Sequence, residues 1–385
     1  MPTFERTFEQ CQDLVADLSL ERIHRWKDQH PGSKVIGYFP VYAPAEIIHA
    51  AGMLPVGLNG GGDRLDIQFA DARFGSFICS IIKTTLEMGL RNHLKVYDGI
   101  LFSSICDSAR NLCFVMKRNF PALYIDFLHL PHNPSSTASI DFLASEYQRL
   151  INELERLGGK PITEAGLRQA ISLYNRNRQL IGNLYAFRAQ KPHLLKTWES
   201  YVLIRAGHFM PVEEHNSLLE EALQQLPSRP GKPRDSIRVV VEGAFCEQPP
   251  LDLIKLVEDA GCYLVDDDFV IGQSWFVEDV PVSGNPVISL AESYVNRAVY
   301  SSVRHDFRAP RWEGLADKVQ RSRADAVLFL IAKFCEPAYF DYVLFKKKLE
   351  ELSVPHLLLE FEEKQFTFDR VRTEVETFVE SLVFD

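Results

Sequence analysis

No two cysteines in the chain are spaced as CxxC. That excludes zinc ribbons, thioredoxin-like redox motifs and the closely spaced cluster runs of ferredoxins. There is no GxxxxGK[ST], so the chain carries no P-loop for ATP, and no GxSxG, so no nucleophile elbow. Glu213-Glu214-His215 has no second histidine at helical spacing, so zincin chemistry is unsupported. Uninterrupted apolar runs are short. None approaches the roughly 18 residues of a membrane span. Positive charge is also scarce: 42 Lys and Arg face 52 Asp and Glu, a net charge of −10. Nucleic-acid binding rests on clustered basic residues, so that partner is excluded, whereas docking on a basic protein surface is compatible. The N-terminal stretch MPTFERTFEQCQDLVADL is charged throughout and has no apolar signal region. A cytoplasmic protein is expected. Its seven cysteines, an odd number, are then thiols rather than disulfides.

What is present is a rhythm. At 385 residues and 46% hydrophobic content, two or three folded domains are expected. Helical spacing covers 4–29, with Pro31-Gly32 as its stop. Buried strands are read at 35–40, 53–58, 97–105 and 122–128, with helices between them. The longest of these helical stretches is read from after Asp63 through Gly89. From Ile140 to about Leu226 the pattern is helical only, with Thr163 as an N-cap. PSRPGKPRD (227–235) has linker composition. A second alternation follows, with strands at 237–243, 262–267, 326–332 and 356–362. Its helices are read at 250–260, 288–303, 312–322, 337–352 and 367–382. The expected fold is α/β: two Rossmann- or flavodoxin-like parallel-sheet domains joined by a helical segment. The expected limits are an N-terminal helix at 1–32, a first α/β domain at 33–135, helices and linker at 136–235, and a second α/β domain at 236–385.

Cysteines fall where such folds do chemistry. Ligands of open α/β sheets bind at the carboxyl ends of the strands. Cys106, Cys246 and Cys335 each follow a strand, and Cys106 and Cys335 also lie near helix starts, where unpaired N–H groups favour thiolate. A single free cysteine is more often a small buried hydrophobe, but the repeated strand-end position strengthens the set. Weaker signals are Asn59-Gly60-Gly61-Gly62-Asp63, a plain turn or a phosphate cradle, and Asp266-Asp267-Asp268, a solvated strand end or a hard-cation site.

The segments GYFPVYAPAEIIHAAGMLPVGLNGGGD (37–63), SSICDSARN (103–111), EGAFCEQPPLDLIKLVEDAGCYLVDDD (242–268) and AKFCEP (332–337) carry a family resemblance. Over nearly its whole length the chain resembles the cluster-carrying subunits of ATP-dependent benzoyl-CoA reductase. These belong to the wider family of 2-hydroxyacyl-CoA dehydratase components. The resemblance implies one [4Fe–4S] cluster held by three cysteines, here Cys79, Cys106 and Cys335, which leaves one iron open. Cys246 rivals Cys79, because it has the strand-end placement that Cys79 lacks. Cys113 lies seven residues beyond Cys106, about 10.5 Å along a helix, and is not expected to share its cluster. Cys11 and Cys262 read as core or surface thiols. The resemblance further implies a similar cluster-bearing partner subunit, two ATPase subunits, reduced ferredoxin as electron donor and benzoyl-CoA as substrate. The product is a cyclohexadiene-1-carbonyl-CoA. It names no catalytic side chain. Two other readings stay open: a 2-hydroxyacyl-CoA dehydratase subunit, and a non-catalytic assembly subunit with structural cysteines.

Overall fold

The computed structural model describes residues 3–243, 246–269, 276, 278–298, 301, 304, 306, 310–362 and 367–384. The chain opens with α1 (Phe4–Ala16) and α2 (Glu21–Gln29) rather than one helix over 4–29. The break has a local cause. The Asp17 carboxylate accepts the backbone N–H groups of Ser19 and Glu21, each at 2.8 Å, and Leu20 turns left-handed at φ 56°. That competes with the helix ladder.

Next come β1 (Val35–Phe39), α3 (Ala45–Ala50), β2 (Leu54–Gly57), α4 (Ser80–Leu90), β3 (Gly99–Ser103), α5 (Asp107–Asn119) and β4 (Tyr124–Leu128). Four helices follow: α6 (Ser139–Arg156), α7 (Glu164–Gln190), α8 (Thr197–Ala206) and α9 (Val212–Gln225). Thr163 caps α7 as expected, accepting the Gly166 N–H at 3.1 Å. The second alternation runs β5 (Ile237–Glu242), α10 (Leu251–Asp259), β6 (Cys262–Asp267), α11 (Pro286–Arg297), α12 (Arg311–Ser322), β7 (Ala326–Ala332), α13 (Glu336–Glu351), β8 (His356–Phe361) and α14 (Asp369–Phe384). The helix read at 288–303 therefore ends at Arg297. Most of its expected last turn lies outside the described residues.

The strands form two four-stranded sheets, both wholly parallel, in orders β2-β1-β3-β4 and β6-β5-β7-β8. The α/β expectation of two parallel-sheet units is confirmed, and the two share one strand order. Side-chain alternation along β7 explains why its sequence reads as one apolar run. Leu328, Leu330 and Ala332 join the main core, while Val327, Phe329 and Ile331 pack in a second core under α12 and α13. A strand covered on both faces has no polar face to show. The main core itself is continuous through both sheets and the helices between them. Two buried ion pairs tie α7 to its surroundings: Arg178 to Glu46 on α3, at 2.8 Å, and Arg188 to Asp267 at the end of β6. No described helix is long and apolar enough to cross a membrane.

Candidate metal centre

The cysteines sort into two groups. Cys11, Cys113 and Cys262 are buried in the core. Cys79, Cys106, Cys246 and Cys335 are half-buried at its edge. Of this second group, three occupy the same local position. Cys106 is the N-cap of α5, three residues past the end of β3, and its sulfur accepts the Ala109 N–H at 3.4 Å. Cys335 is the N-cap of α13, three residues past the end of β7. Cys79 is the N-cap of α4. Three helix starts thus present their orphan N–H groups and positive dipole ends to these sulfurs. Cys246 lies four residues beyond β5, in the loop to α10.

The placement of Cys79 corrects the long helix read from after Asp63 through Gly89. Residues 65–79 are mostly irregular, with a 3-10 turn at Ala70–Ala72, and the helix starts only at Ser80. Glu87 holds this approach in place. Its buried carboxylate accepts the N–H groups of Gln68, Phe69 and Ala70 at 3.1, 2.8 and 2.9 Å, and pairs with Arg91. Burial opposes its charge, but these bonds win and draw its pKa below the usual range. No local pattern signals this arrangement, because donors and acceptor lie 17 to 19 residues apart.

Contacts from the two halves meet around the four thiols. The Glu247 carboxylate accepts the Ser80 hydroxyl and, at 3.2 Å, the Ile81 N–H, so the residue after Cys246 is fastened to the first turn of α4. The rings of Phe77 and Phe334, beside Cys79 and Cys335, meet edge to face at 5.9 Å between centroids. Burial pushes the Cys79 thiol well up; Glu247, Cys335 and Cys106 push the same way. Burial likewise raises Cys246, where the charges of Cys106, Cys335 and Cys79 add to it. Cys335 is pushed up to about 12, chiefly by burial, against the Ala338 N–H. Burial raises Cys106 less freely, since the Ala109 and Ser108 N–H groups oppose it. The four thiols therefore share one electrostatic neighbourhood.

Among the described residues no three His, Cys, Asp or Glu side chains stand close enough to grip a single metal ion. A cubane spreads its ligand sulfurs farther apart than one ion does. An all-thiol donor set without imidazole, ringed by helix N-termini, fits an iron–sulfur cluster better than a hard cation. Cysteine ligands to such a cluster would be thiolates, each proton replaced by a metal–sulfur bond.

The remaining candidates fall elsewhere. Asp267 is spent on Arg188 and on the Tyr185 hydroxyl at 2.7 Å, and Asp268 accepts the Gly243 N–H at 2.8 Å. The aspartate triplet is thus neither a solvated strand end nor a cation cage. Asn59 bonds His208, and with Gly62, Asp63 and Arg64 it lines a cavity of about 270 Å³ that reaches Glu247. There Arg64, Arg205 and Lys255 face Asp63, Asp252 and Glu247, a balanced lining rather than an anion cradle. His215 is buried, bonded to Asn177 and to the Leu203 carbonyl, a structural role. The Cys113 thiol is directed at the Asp126 carbonyl, at 3.9 Å.

Comparison with known proteins agrees with this architecture. The family described as 2-hydroxyglutaryl-CoA dehydratase, D-component, matches residues 40–382. The chain is 36% identical to one of the subunits of the benzoyl-CoA reductase of Thauera aromatica, over 97% of both chains. It is 28% identical to the (R)-phenyllactyl-CoA dehydratase beta subunit of Clostridium sporogenes, over 99% of this chain and 100% of that one. It is also 28% identical to the (R)-2-hydroxyglutaryl-CoA dehydratase beta subunit of Acidaminococcus fermentans, over 91% and 93%.

Proposed function

The chain belongs to the 2-hydroxyglutaryl-CoA dehydratase D-component family, and we propose that within it the chain is the iron–sulfur subunit of a benzoyl-CoA reductase. The observation that carries this reading is the convergence of cysteines from distant segments on one neighbourhood, three of them at helix N-caps. The full-length likeness to a benzoyl-CoA reductase subunit supports the substrate. In this reading Cys79, Cys106 and Cys335 hold a [4Fe–4S] cluster, with Cys246 beside them. The domain limits read from the sequence, 33–135 and 236–385 about a helical segment at 136–235, are proposed with it.

When bound, the cluster supplies single electrons at low potential. The chain's own residues set its surroundings. The first turns of α4, α5 and α13 stabilise negative charge, and burial opposes it. The balance of these two tunes how readily an electron is accepted. Glu247 fixes the Cys246 loop against α4 and so keeps the sulfurs in register. The exposed rings of Phe77 and Phe334, neighbours in sequence of Cys79 and Cys335, pack edge to face on one side of the molecule. We assign to that side the contact with a similar cluster-bearing subunit. Two ATPase subunits and reduced ferredoxin supply the driving force, because this chain has no nucleotide loop of its own. The product is a cyclohexadiene-1-carbonyl-CoA, and the setting is the cytoplasm of an anaerobically growing cell.

The test is an anaerobic assay of the assembled complex with ferredoxin, ATP and two thioesters. Benzoyl-CoA should be reduced in proportion to ATP hydrolysed. Dehydration of a 2-hydroxyacyl-CoA without benzoyl-CoA reduction would replace the reading with a dehydratase. Full activity with this chain iron-free would leave it an assembly subunit.

A further inference from the structure

Each sheet has two edge strands, and an uncovered edge offers its backbone groups to another strand. Three of these edges are closed within the chain. β2 carries Pro55, which has no N–H to offer, and the His208 ring packs on its last residue, Gly57. β6 lies against α7, and the Thr197 hydroxyl at the start of α8 donates to its Leu264 carbonyl at 3.2 Å. β4 is capped by side chains. Asp126 accepts the Phe127 N–H at 2.8 Å, Glu146 accepts the His129 N–H at 3.2 Å, and Arg149 donates to the Phe127 carbonyl at 3.4 Å.

The fourth edge, β8, differs. The Val327 N–H donates to the Pro355 carbonyl and the Lys333 N–H to the Phe361 carbonyl, so the odd-numbered residues of β8 face β7. His356, Leu358 and Glu360 therefore turn their N–H and C=O groups outward. Among the described residues no hydrogen bond reaches these backbone groups. Leu357 and Leu358 are only half-buried, and Glu360 is exposed. The Tyr339 hydroxyl on α13 donates to the Glu360 carboxylate, so that side of α13 stands over the edge. One turn on, Val343 leaves an exposed apolar side chain on the same side.

We infer that β8 pairs antiparallel with β8 of a second copy of this chain, so that two four-stranded sheets join edge to edge. The inference is independent of the cluster reading. The strand is complementary to itself about Leu358. With that residue on a twofold axis, His356 of each copy lies opposite Glu360 of the other, an imidazole against a carboxylate, and Leu358 meets its own copy. Each outward residue then faces an outward residue, for about six backbone hydrogen bonds. An axis at Leu357 or Leu359 pairs only two of the three. Antiparallel pairing also obeys the twofold and closes as a dimer, whereas head-to-tail addition would not close. The contact engages the flank of the sheet. The strand ends, where Cys106 and Cys335 follow β3 and β7, stay outside it.

Light scattering of the full chain, purified anaerobically, reads the mass directly, and circular dichroism checks that each variant folds. Wild type should have twice the mass of one chain. Leu358→Pro removes the outward N–H on the axis and no bond to β7, so the strand should survive while the dimer falls to single chains. His356→Glu sets two carboxylates opposite each other and should do the same. Adding Glu360→Lys to His356→Glu should restore the dimer, which a merely damaged strand would not allow. Should Leu358→Pro fail to fold, the charge pair carries the readout. Wild type at single-chain mass would overturn the inference. So would folded Leu358→Pro and His356→Glu proteins that remain dimers. In the assembled complex Leu358→Pro should keep its hold on the similar subunit; loss of that subunit would give the edge to it rather than to a second copy, and would overturn the inference too.

Discussion

The two sheets are alike in strand order and unlike at their second strand. In the first sheet β2 ends on Gly57, and the His208 ring occupies the space a side chain would need; a Cβ there would lie 2.2 Å from Nδ1. In the second sheet β6 ends on Asp267, a buried carboxylate locked to Arg188 and Tyr185. His208 and Arg188 both come from the helical stretch between the sheets. The same architecture is thus sealed once by close packing of a neutral ring and once by a buried ion pair. Topology follows from apolar runs of the right length. The chemistry at each strand end follows from single residues, and these two ends should fail in different ways.

The largest effect is expected at the charged seal. Asp267→Ala leaves the Arg188 guanidinium buried without its carboxylate, which should cost about 3–5 kcal/mol in denaturant unfolding. The neutral seal should be softer. Gly57→Ala drives a methyl group into the His208 ring, and overpacking of that kind costs about 1–3 kcal/mol. A Gly57→Ala protein less stable than Asp267→Ala would reverse the contrast.

Smaller still, and opposite in sign, are two pH effects. Burial lowers His208 from 6.5 to about 3, so the unfolded chain binds the proton more readily. Its contribution is whole above pH 6.5 and is lost as pH falls toward 3. On the second sheet's side, burial raises Glu258 from 4.5 to about 7 against the Thr197 N–H. Its contribution is whole below pH 4.5 and is lost as pH rises through 7. Each proton gives a slope of at most about 1.4 kcal/mol per pH unit. Melting curves across pH should therefore show His208→Gln flattening the acid limb. Glu258→Gln should gain on wild type above pH 7. The same sign for both variants would contradict the assignment of either site.

All eight described strands were legible in the sequence, most of them to within a residue or two, because doubly covered strands are unbroken apolar runs between turn residues. Cys106 and Cys335 were legible for a related reason: each follows such a run and precedes a helix start. Cys79 was harder to place. The residues before it look helical in part, yet the N–H groups of Gln68, Phe69 and Ala70 bond the carboxylate of Glu87, far along the chain, instead of a helix ladder. Glu247 was invisible as a fastener, since its partners Ser80 and Ile81 lie 167 and 166 residues away. The split of the first helix turned on one side chain, Asp17, whose local bonds outweighed an apolar spacing that continued across it. Sequence patterning reports periodic burial well. It does not report a single long-range hydrogen bond.

The central claim is that one cluster draws its ligands from both sheets. Iron content of the anaerobically purified full chain, compared between Cys106→Ala and Cys335→Ala, tests this most directly. Wild type should carry about four irons, and either substitution alone should empty the site, while Cys113→Ala leaves it full. Full iron in one of the two variants and none in the other would place the cluster on a single sheet and contradict the account.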